Sequence, residues 1–381
     1  MKAIEADLPS LADLPSLADL PTLAQPLPWD DPSTGLPRIS RLALADPETS
    51  FTQEDVLGLL GLSDDEFARR IFSRCGVRRR RLNLTDELLA TTVQGRTLAI
   101  ENQLLGDAVR AIDELEIDPG DIGVVISASL YSLGGPTIAH RLVDHYEMDP
   151  ATDKYHVVGV GCASAVPLVR LASQVLREHP GKKALVVAAE SMAGILMGAR
   201  ADDPRSKTVG SSIFGDGCAV AVIEYGDSSP AATTHPSGPV VLASKVHQIS
   251  GTLGAVRMQL APDDSFLHLI RELPDVASAG LRELVDEFLA AQGCRREAID
   301  HWLVHPGGRR IIESIQEALS LSREDVEVSY RVLAEHGNVG TPSIFYVMKR
   351  VIERRRPQAG ELGLMVTVGP GVTVGLMLLQ W

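Results

Sequence analysis

The sequence predicts an α/β chain: a layered fold whose two halves repeat one order of elements. Three observations carry this. Runs of strand length are apolar from end to end, amphipathic helical stretches separate them, and the alternation is written twice. A strand that is apolar on both faces belongs in a sheet covered on both sides. The chain has 381 residues, of which 45% are apolar and only 4% aromatic, so the core is expected to be Val, Leu, Ile and Ala.

Residues 8 to 25 read Leu-Pro-Ser-Leu-Ala-Asp twice and then Leu-Pro-Thr-Leu-Ala-Gln. Proline in every unit removes backbone donors and blocks a continuous helix. Residues 1–34 are therefore expected to form a tail without stable structure, or else a docking peptide for another protein. The first half is expected over residues 35–235. A helical pattern runs from Ser50 to Arg70, with Thr52 as N-cap and Glu54 in the first turn. Residues 84–117 read as one or two long helices. Strands follow at residues 122–129 and 157–161, a helix at 164–178, and strands at 183–189 and 218–223. The second half, residues 236–381, repeats the scheme. Helices are expected at residues 276–292, 308–319 and 341–355, and strands at 301–305, 362–368 and 374–379.

Charge and cysteine content narrow the function. The net charge of −14 argues against general nucleic-acid binding. Cys75, Cys162, Cys218 and Cys294 lie far apart without Cys-x-x-Cys spacing, so neither a disulfide framework nor a zinc site is expected, and the cytoplasm is the natural setting. No apolar run reaches the length of a membrane span, and no basic segment leads into an apolar core at the N-terminus.

The candidate chemistry sits at strand ends. Cys162 follows a strand, lies between Gly161 and Ala163, and opens a helix. Unpaired N–H groups and the positive end of the dipole would lower the pKa of a thiol there. The same pattern also suits a buried cysteine that packs as a small hydrophobe. His305 ends an apolar strand before Pro306-Gly307-Gly308, at the rim where α/β ligands bind, but alone it is equally a surface histidine. Asn338 lies in a glycine-flanked loop before a helix, where a turn asparagine is common. Together the three are more specific. A thiolate can hold an acyl chain, while a neutral imidazole N–H and an amide N–H can stabilise an enolate.

Gly161-Cys162-Ala163-Ser164-Ala165, Phe214-Gly215-Asp216-Gly217, His305-Pro306-Gly307-Gly308, Gly337-Asn338 and Gly369-Pro370-Gly371 occur in an order and spacing that resemble the type III polyketide synthases, the chalcone-synthase-like family. The similarity covers residues 38 to 381. Residues 301–305 and the terminal Gln380-Trp381 look most like the bacterial branch that includes the 3,5-dihydroxyphenylacetyl-CoA synthases. The resemblance implies a thiolase-like αβαβα fold, a homodimer, and Cys162, His305 and Asn338 as catalytic triad. It implies Phe214 at the junction of CoA tunnel and cavity, and Leu267 where plant members carry a second gatekeeping phenylalanine. Met192, Ile195 and Gly340 fall at cavity-shaping positions, Leu133 where a residue reaches across the dimer, and Gly371 in the loop lining the cyclisation chamber. Leu267 departs from the plant pattern, so a plant-type aromatic starter is not assumed, and Gly340 in the Val339-Gly340-Thr341-Pro342 loop leaves space for a longer chain.

The resemblance further implies an acyltransferase of secondary metabolite biosynthesis. It would load an acyl-CoA, malonyl-CoA included, and extend it with malonyl-CoA. CoA thioesters would be substrates, with no resident cofactor or metal. The basic run at residues 69–81 reads either as a solvated charged edge or as a site for the CoA phosphates; in register with the family Arg70 and Arg74 would make those contacts, with a structural role as the alternative for Arg78 to Arg81. Two alternatives remain at this level: a single-condensation acyltransferase like ketoacyl synthase III, and a non-enzymatic scaffold contacting partners through the repeat.

Overall fold

The computed structural model describes residues 35–84, 93–130, 132, 134–192, 205–225, 238–260 and 265–381. The repeat tail, Leu133 and Ile195 lie outside the described residues. The first part of the chain contributes β1 (Pro37–Ala45), β2 (Ser50–Thr52), α1 (Gln53–Leu59), α2 (Glu66–Arg74), β3 (Arg79–Arg81), α3 (Val93–Glu114), β4 (Ile122–Ala128) and α4 (Ile138–His145). It continues with β5 (Asp153–Val157), α5 (Ala165–Leu176), β6 (Lys183–Glu190), α6 (Arg205–Ile213) and β7 (Gly217–Tyr225). The second part begins at β8 (Val240–Gln248), then β9 (Val256–Leu260), β10 (Ser265–Leu269), α7 (Leu273–Ser278) and α8 (Leu281–Ala290). It ends with β11 (His301–Val304), α9 (Arg309–Leu319), α10 (Glu327–His336), α11 (Ser343–Arg354), β12 (Leu362–Gly369) and β13 (Thr373–Gln380).

Among the described residues, nine strands form one mixed sheet in the order β11-β12-β13-β8-β1-β7-β6-β4-β5. Outward from the β1–β8 seam the two sides match. On each side an antiparallel pair leads to a second antiparallel partner and then to a parallel neighbour (β1-β7-β6-β4 and β8-β13-β12-β11). The expected repeat is thus a repeat of topology.

Side-chain alternation builds the five layers. Val125, Leu185 and Val222 point to one face and pack with Leu104 and Ala108 of α3 and Leu142 of α4. Val124, Ile126 and Val186 point to the other face. There they meet α5 through Val166 and Val169, and α11 through Phe345 and Met348, with Met365 and Met377 of the second side. Leu364, Val366 and Leu376 complete the sandwich against Val285 of α8 and Ile312 of α9. This is the αβαβα arrangement, with α5 and α11 as its central layer.

Several boundaries differ from expectation for local reasons. The helix expected over 50–70 is two helices, because Gly61 takes a left-handed φ of 65° and Asp65 opens a new N-cap. Thr52 does cap α1, in a reciprocal box with Asp55. The helix expected over 276–292 is broken at Gly280, φ 66°. The strand expected at 157–161 runs instead over Asp153–Val157. Among the described residues it pairs with β4 alone, which leaves its outer edge open there and lets polar residues be tolerated.

Candidate active site

Cys162 is delivered by the segment that leaves β5. Gly159 and Gly161 turn it with φ of 87° and 57°. A Cβ on Gly161 would stand 2.9 Å from Pro370 Cδ, so no other residue brings the chain so close to the β12–β13 loop. Gly161–Ala163 form a single 3₁₀ turn, and the α-helix begins only at Ala165. The Gly161 carbonyl accepts from Ser164 Oγ at 2.6 Å and from Thr341 Oγ1 at 3.0 Å, which fixes the turn to the second half.

His305 follows β11, its N–H bonded to the Val366 carbonyl at 2.9 Å. It stands at the strand's C-terminal end as expected, yet it is buried rather than exposed at a rim. Neither ring nitrogen has a hydrogen-bond partner among the described residues. Burial alone pushes its pKa down to about 3, so the ring is neutral. Asn338 begins where α10 ends at Gly337 and is held on both sides of its amide. Oδ1 accepts from Gly340 N at 2.9 Å and Ser343 Oγ at 3.2 Å, and Nδ2 donates to the Gly307 carbonyl at 3.3 Å. That assigns the amide orientation and leaves Nδ2 3.8 Å from Cys162 Sγ.

Cys162, His305 and Asn338 therefore line one cleft. Met192, Phe214 and Gly340 line it too. Its other walls are almost wholly aliphatic, including Leu130, Ile213, Val256, Leu269, Leu273 and Ile311. Gly371 is not in the wall; the preceding Gly369 and Pro370 are. Instead the Gly371 carbonyl accepts from Thr252 Oγ1 at 2.8 Å. Residue 267 lies in β10 opposite Met258, and the described wall takes Leu269 from that strand. Arg70 and Arg74 are exposed on α2, outside the cleft wall.

The thiol differs from the sequence expectation. Burial pushes Cys162 up to about 12, with the Asn338 hydrogen bond opposing and Glu190 reinforcing the rise. Desolvation outweighs the short 3₁₀ turn, which offers little dipole. Glu190 itself went unnoticed in the sequence. It ends β6 behind the thiol, where Oε2 accepts from Leu130 N at 2.9 Å and Oε1 lies 3.4 Å from Thr341 Oγ1. Burial pushes it up to about 8, so it is protonated at neutral pH. A carboxyl directly after the apolar run 183–189 was the available signal. Asp216 fixes its turn, accepting from Asn83 N at 2.7 Å and Ser191 Oγ at 3.0 Å.

Comparison with known proteins bears on the family and the fold. The family described as FAE1/Type III polyketide synthase-like protein matches residues 47–288, and Chalcone and stilbene synthases, C-terminal domain, matches residues 234–381. A 3,5-dihydroxyphenylacetyl-CoA synthase of Amycolatopsis orientalis is 30% identical over 371 residues, covering 91% of this chain and 95% of its own. A 1,3,6,8-tetrahydroxynaphthalene synthase of Streptomyces peucetius subsp. caesius is 26% identical over 325 residues, 84% of this chain and 85% of its own. The crystal structure of PKS-I from the brown alga Ectocarpus siliculosus superposes with a TM-score of 0.81. It covers 92% of this chain and 99% of its own at 24% identity, and shows the shared fold. With a match across most of its length and relatives aligned end to end, the chain belongs to the type III polyketide synthase family.

Proposed function

We propose that Cys162 carries an acyl chain which malonyl-CoA extends by decarboxylative condensation, with His305 and Asn338 as its donors. The supporting observation is the convergence of a thiol and two neutral N–H donors in one buried, mostly aliphatic cleft. The Cys162 sulfur, once deprotonated, attacks the starter thioester, and CoA leaves as its thiol with that proton. Malonyl-CoA then loses carbon dioxide, and the electron pair of the broken bond becomes an enolate. The imidazole N–H and the Asn338 Nδ2–H stabilise its oxygen. The enolate carbon attacks the Cys162 thioester, a carbon–carbon bond forms, and the sulfur leaves for the next round.

Arg70 and Arg74, exposed on α2, are read as contacts for the CoA phosphates. Ile195 and Leu133 keep their proposed cavity roles, and position 267 that of a gate; Gly371 is read as supporting the cyclisation loop through Thr252. The resemblance to the bacterial branch suggests malonyl-CoA as starter, while the aliphatic wall equally accommodates an alkanoyl chain. We read residues 35–235 and 236–381 as the two halves, and a homodimer joined along the open edge of β5. The four free thiols suit a reducing cytoplasm, and no helix among the described residues is long and apolar enough to cross a membrane.

Malonyl-CoA should be supplied alone and then with a panel of acyl-CoAs, and the products weighed by mass spectrometry. Repeated two-carbon extensions are expected, and Cys162→Ala should abolish them. A single extension would instead favour the ketoacyl synthase III-like reading, and condensed product from Cys162→Ala at the native rate would overturn the nucleophile.

A further inference from the structure

Arg80 lies outside the cleft, yet it heads the fully buried side chains by volume. Of the four consecutive arginines, Arg78 and Arg79 are exposed and Arg81 is half-buried. Strand β3 pairs Arg80 with Phe51, and the pleat turns its side chain inward. Its hydrogen bonds go to neutral oxygens. Nη1 donates to the Ser211 carbonyl at 2.6 Å and the Phe214 carbonyl at 2.7 Å, and Nη2 donates to Gln53 Oε1 at 2.6 Å. The Phe72 ring centroid lies 5.7 Å from the guanidinium carbon.

Ser211 and Phe214 bracket the end of α6, where the last carbonyls of a helix lack partners and the dipole is negative. A fork of donors suits that end. The same few residues hold Asn338. Asn338 N donates to the Ile213 carbonyl at 2.7 Å, Gly215 N donates to the Asn338 carbonyl at 3.0 Å, and Phe214 and Asn338 form a parallel bridge. The junction has no slack. A Cβ on Gly215 would stand 2.4 Å from the His336 carbonyl oxygen and 3.3 Å from Arg80 Cβ. A Cβ on Gly337 would stand 2.6 Å from the Ile213 carbonyl oxygen and 3.6 Å from Arg80 Cβ. Packing this tight passes a displacement on rather than absorbing it.

We propose that Arg80 is a positioning residue: it clamps the end of α6 and so sets the Phe214–Asn338 junction and the aim of the Asn338 amide at the cleft. This rests on the proposed role of Asn338 in decarboxylation. The turn that carries Cys162 is held at Gly161 by a different set of contacts, with Pro370, Ser164 and Thr341, and the 3.8 Å approach of Asn338 Nδ2 to the sulfur is where the two meet.

Arg80→Lys keeps a cation but loses the fork that spans both carbonyls and Gln53. Conversion of malonyl-CoA to acetyl-CoA should fall about tenfold or more, with KM for malonyl-CoA changed by less than about threefold. Alkylation of Cys162 by iodoacetamide should stay within about threefold of wild type. A merely structural role would move both rates together with the melting temperature, or move neither, and either result overturns the proposal. Should Arg80→Lys not fold, Gln53→Met removes, at nearly constant volume, the acceptor of Arg80 Nη2 together with the amide donor to the Ser212 carbonyl on the same helix end, and decides by the same ratio. About threefold loss of decarboxylation with unchanged alkylation supports the clamp, and an unchanged ratio overturns it. A wild-type protein that leaves malonyl-CoA intact would sink the proposed function itself. An active wild type beside an Arg80→Lys variant with the wild-type ratio sinks only the role of Arg80.

Discussion

Burial holds the residues of the cleft uncharged at rest, and that decides what each can do. The thiol of Cys162 is pushed up to about 12 and the imidazole of His305 down to about 3. His305 is therefore suited to donate a hydrogen bond to a developing oxyanion near neutral pH, and so is Asn338. His305→Ala and Asn338→Ala should each slow malonyl-CoA decarboxylation by about 10²- to 10³-fold, with KM little changed. Steady-state assay of acetyl-CoA checks this, and a loss confined to KM would count against the donor role. Glu190 gives a second test, in stability. Its carboxyl is raised from 4.5 to about 8, so between those values the folded protein holds a proton that the unfolded chain has released. Stability must then fall as pH rises from 4.5 to about 8, by an amount on the order of a few kcal/mol. Glu190→Gln removes that slope while its amide can still accept from Leu130 N and meet Thr341. His305 acts with the opposite sign, losing stability as pH falls from 6.5 towards 3, and both proteins share it. The difference between their melting curves across pH isolates Glu190, and parallel curves would refute the assignment.

At the scale of elements, the site depends on loops too close for a side chain. Gly215 joins α6 to β7 under the His336 carbonyl, where an added Cβ would lie at 2.4 Å. Gly215→Ala should destabilise by about 2–3 kcal/mol and lower decarboxylation with it. Gly106, inside α3 with nothing within 4 Å, is the control: Gly106→Ala should stabilise by about 0.5–1 kcal/mol. Chemical denaturation of the pair checks both signs. The sequence made the buried strands legible because a strand covered on both faces is apolar along most of its length, as β4 and β6 are between their ends. It hid β5, whose Asp153-Lys154-Tyr155-His156 reflects an open edge that only the assembled sheet defines. Cys162, His305 and Asn338 were legible because each stands beside glycines at the end of an element. Arg80 was not: in a run of four arginines nothing marks which one the pleat turns inward. The acidity of Cys162 was misread for a related reason, since a helix N-terminus is local but desolvation comes from the whole fold.

On the whole-molecule scale, the cleft is a joint product of the two sides of the sheet. Cys162, Met192 and Phe214 come from the first, and His305, Asn338 and Pro370 from the second. The strand that leads to Cys162 is also the sheet's open edge. Tyr155 on it and Val158 just past its end are 37% and 42% exposed, and the side of β5 away from β4 has no partner strand among the described residues, which makes it a template for a second strand. A second copy meeting this edge would brace the segment Val158–Gly161 that leads to Cys162. The double substitution Tyr155→Asp and Val158→Asp places like charges on both sides of such a two-fold contact, where they repel and lose apolar burial. Sedimentation should show the wild type at twice the 40.9 kDa chain mass and the variant at the single-chain mass. Condensation should fall further than thermal stability, because the loosened element is the one that aims the thiol. A wild-type chain that sediments as a monomer, or a monomeric variant with undiminished condensation, would show that the edge serves neither assembly nor Cys162.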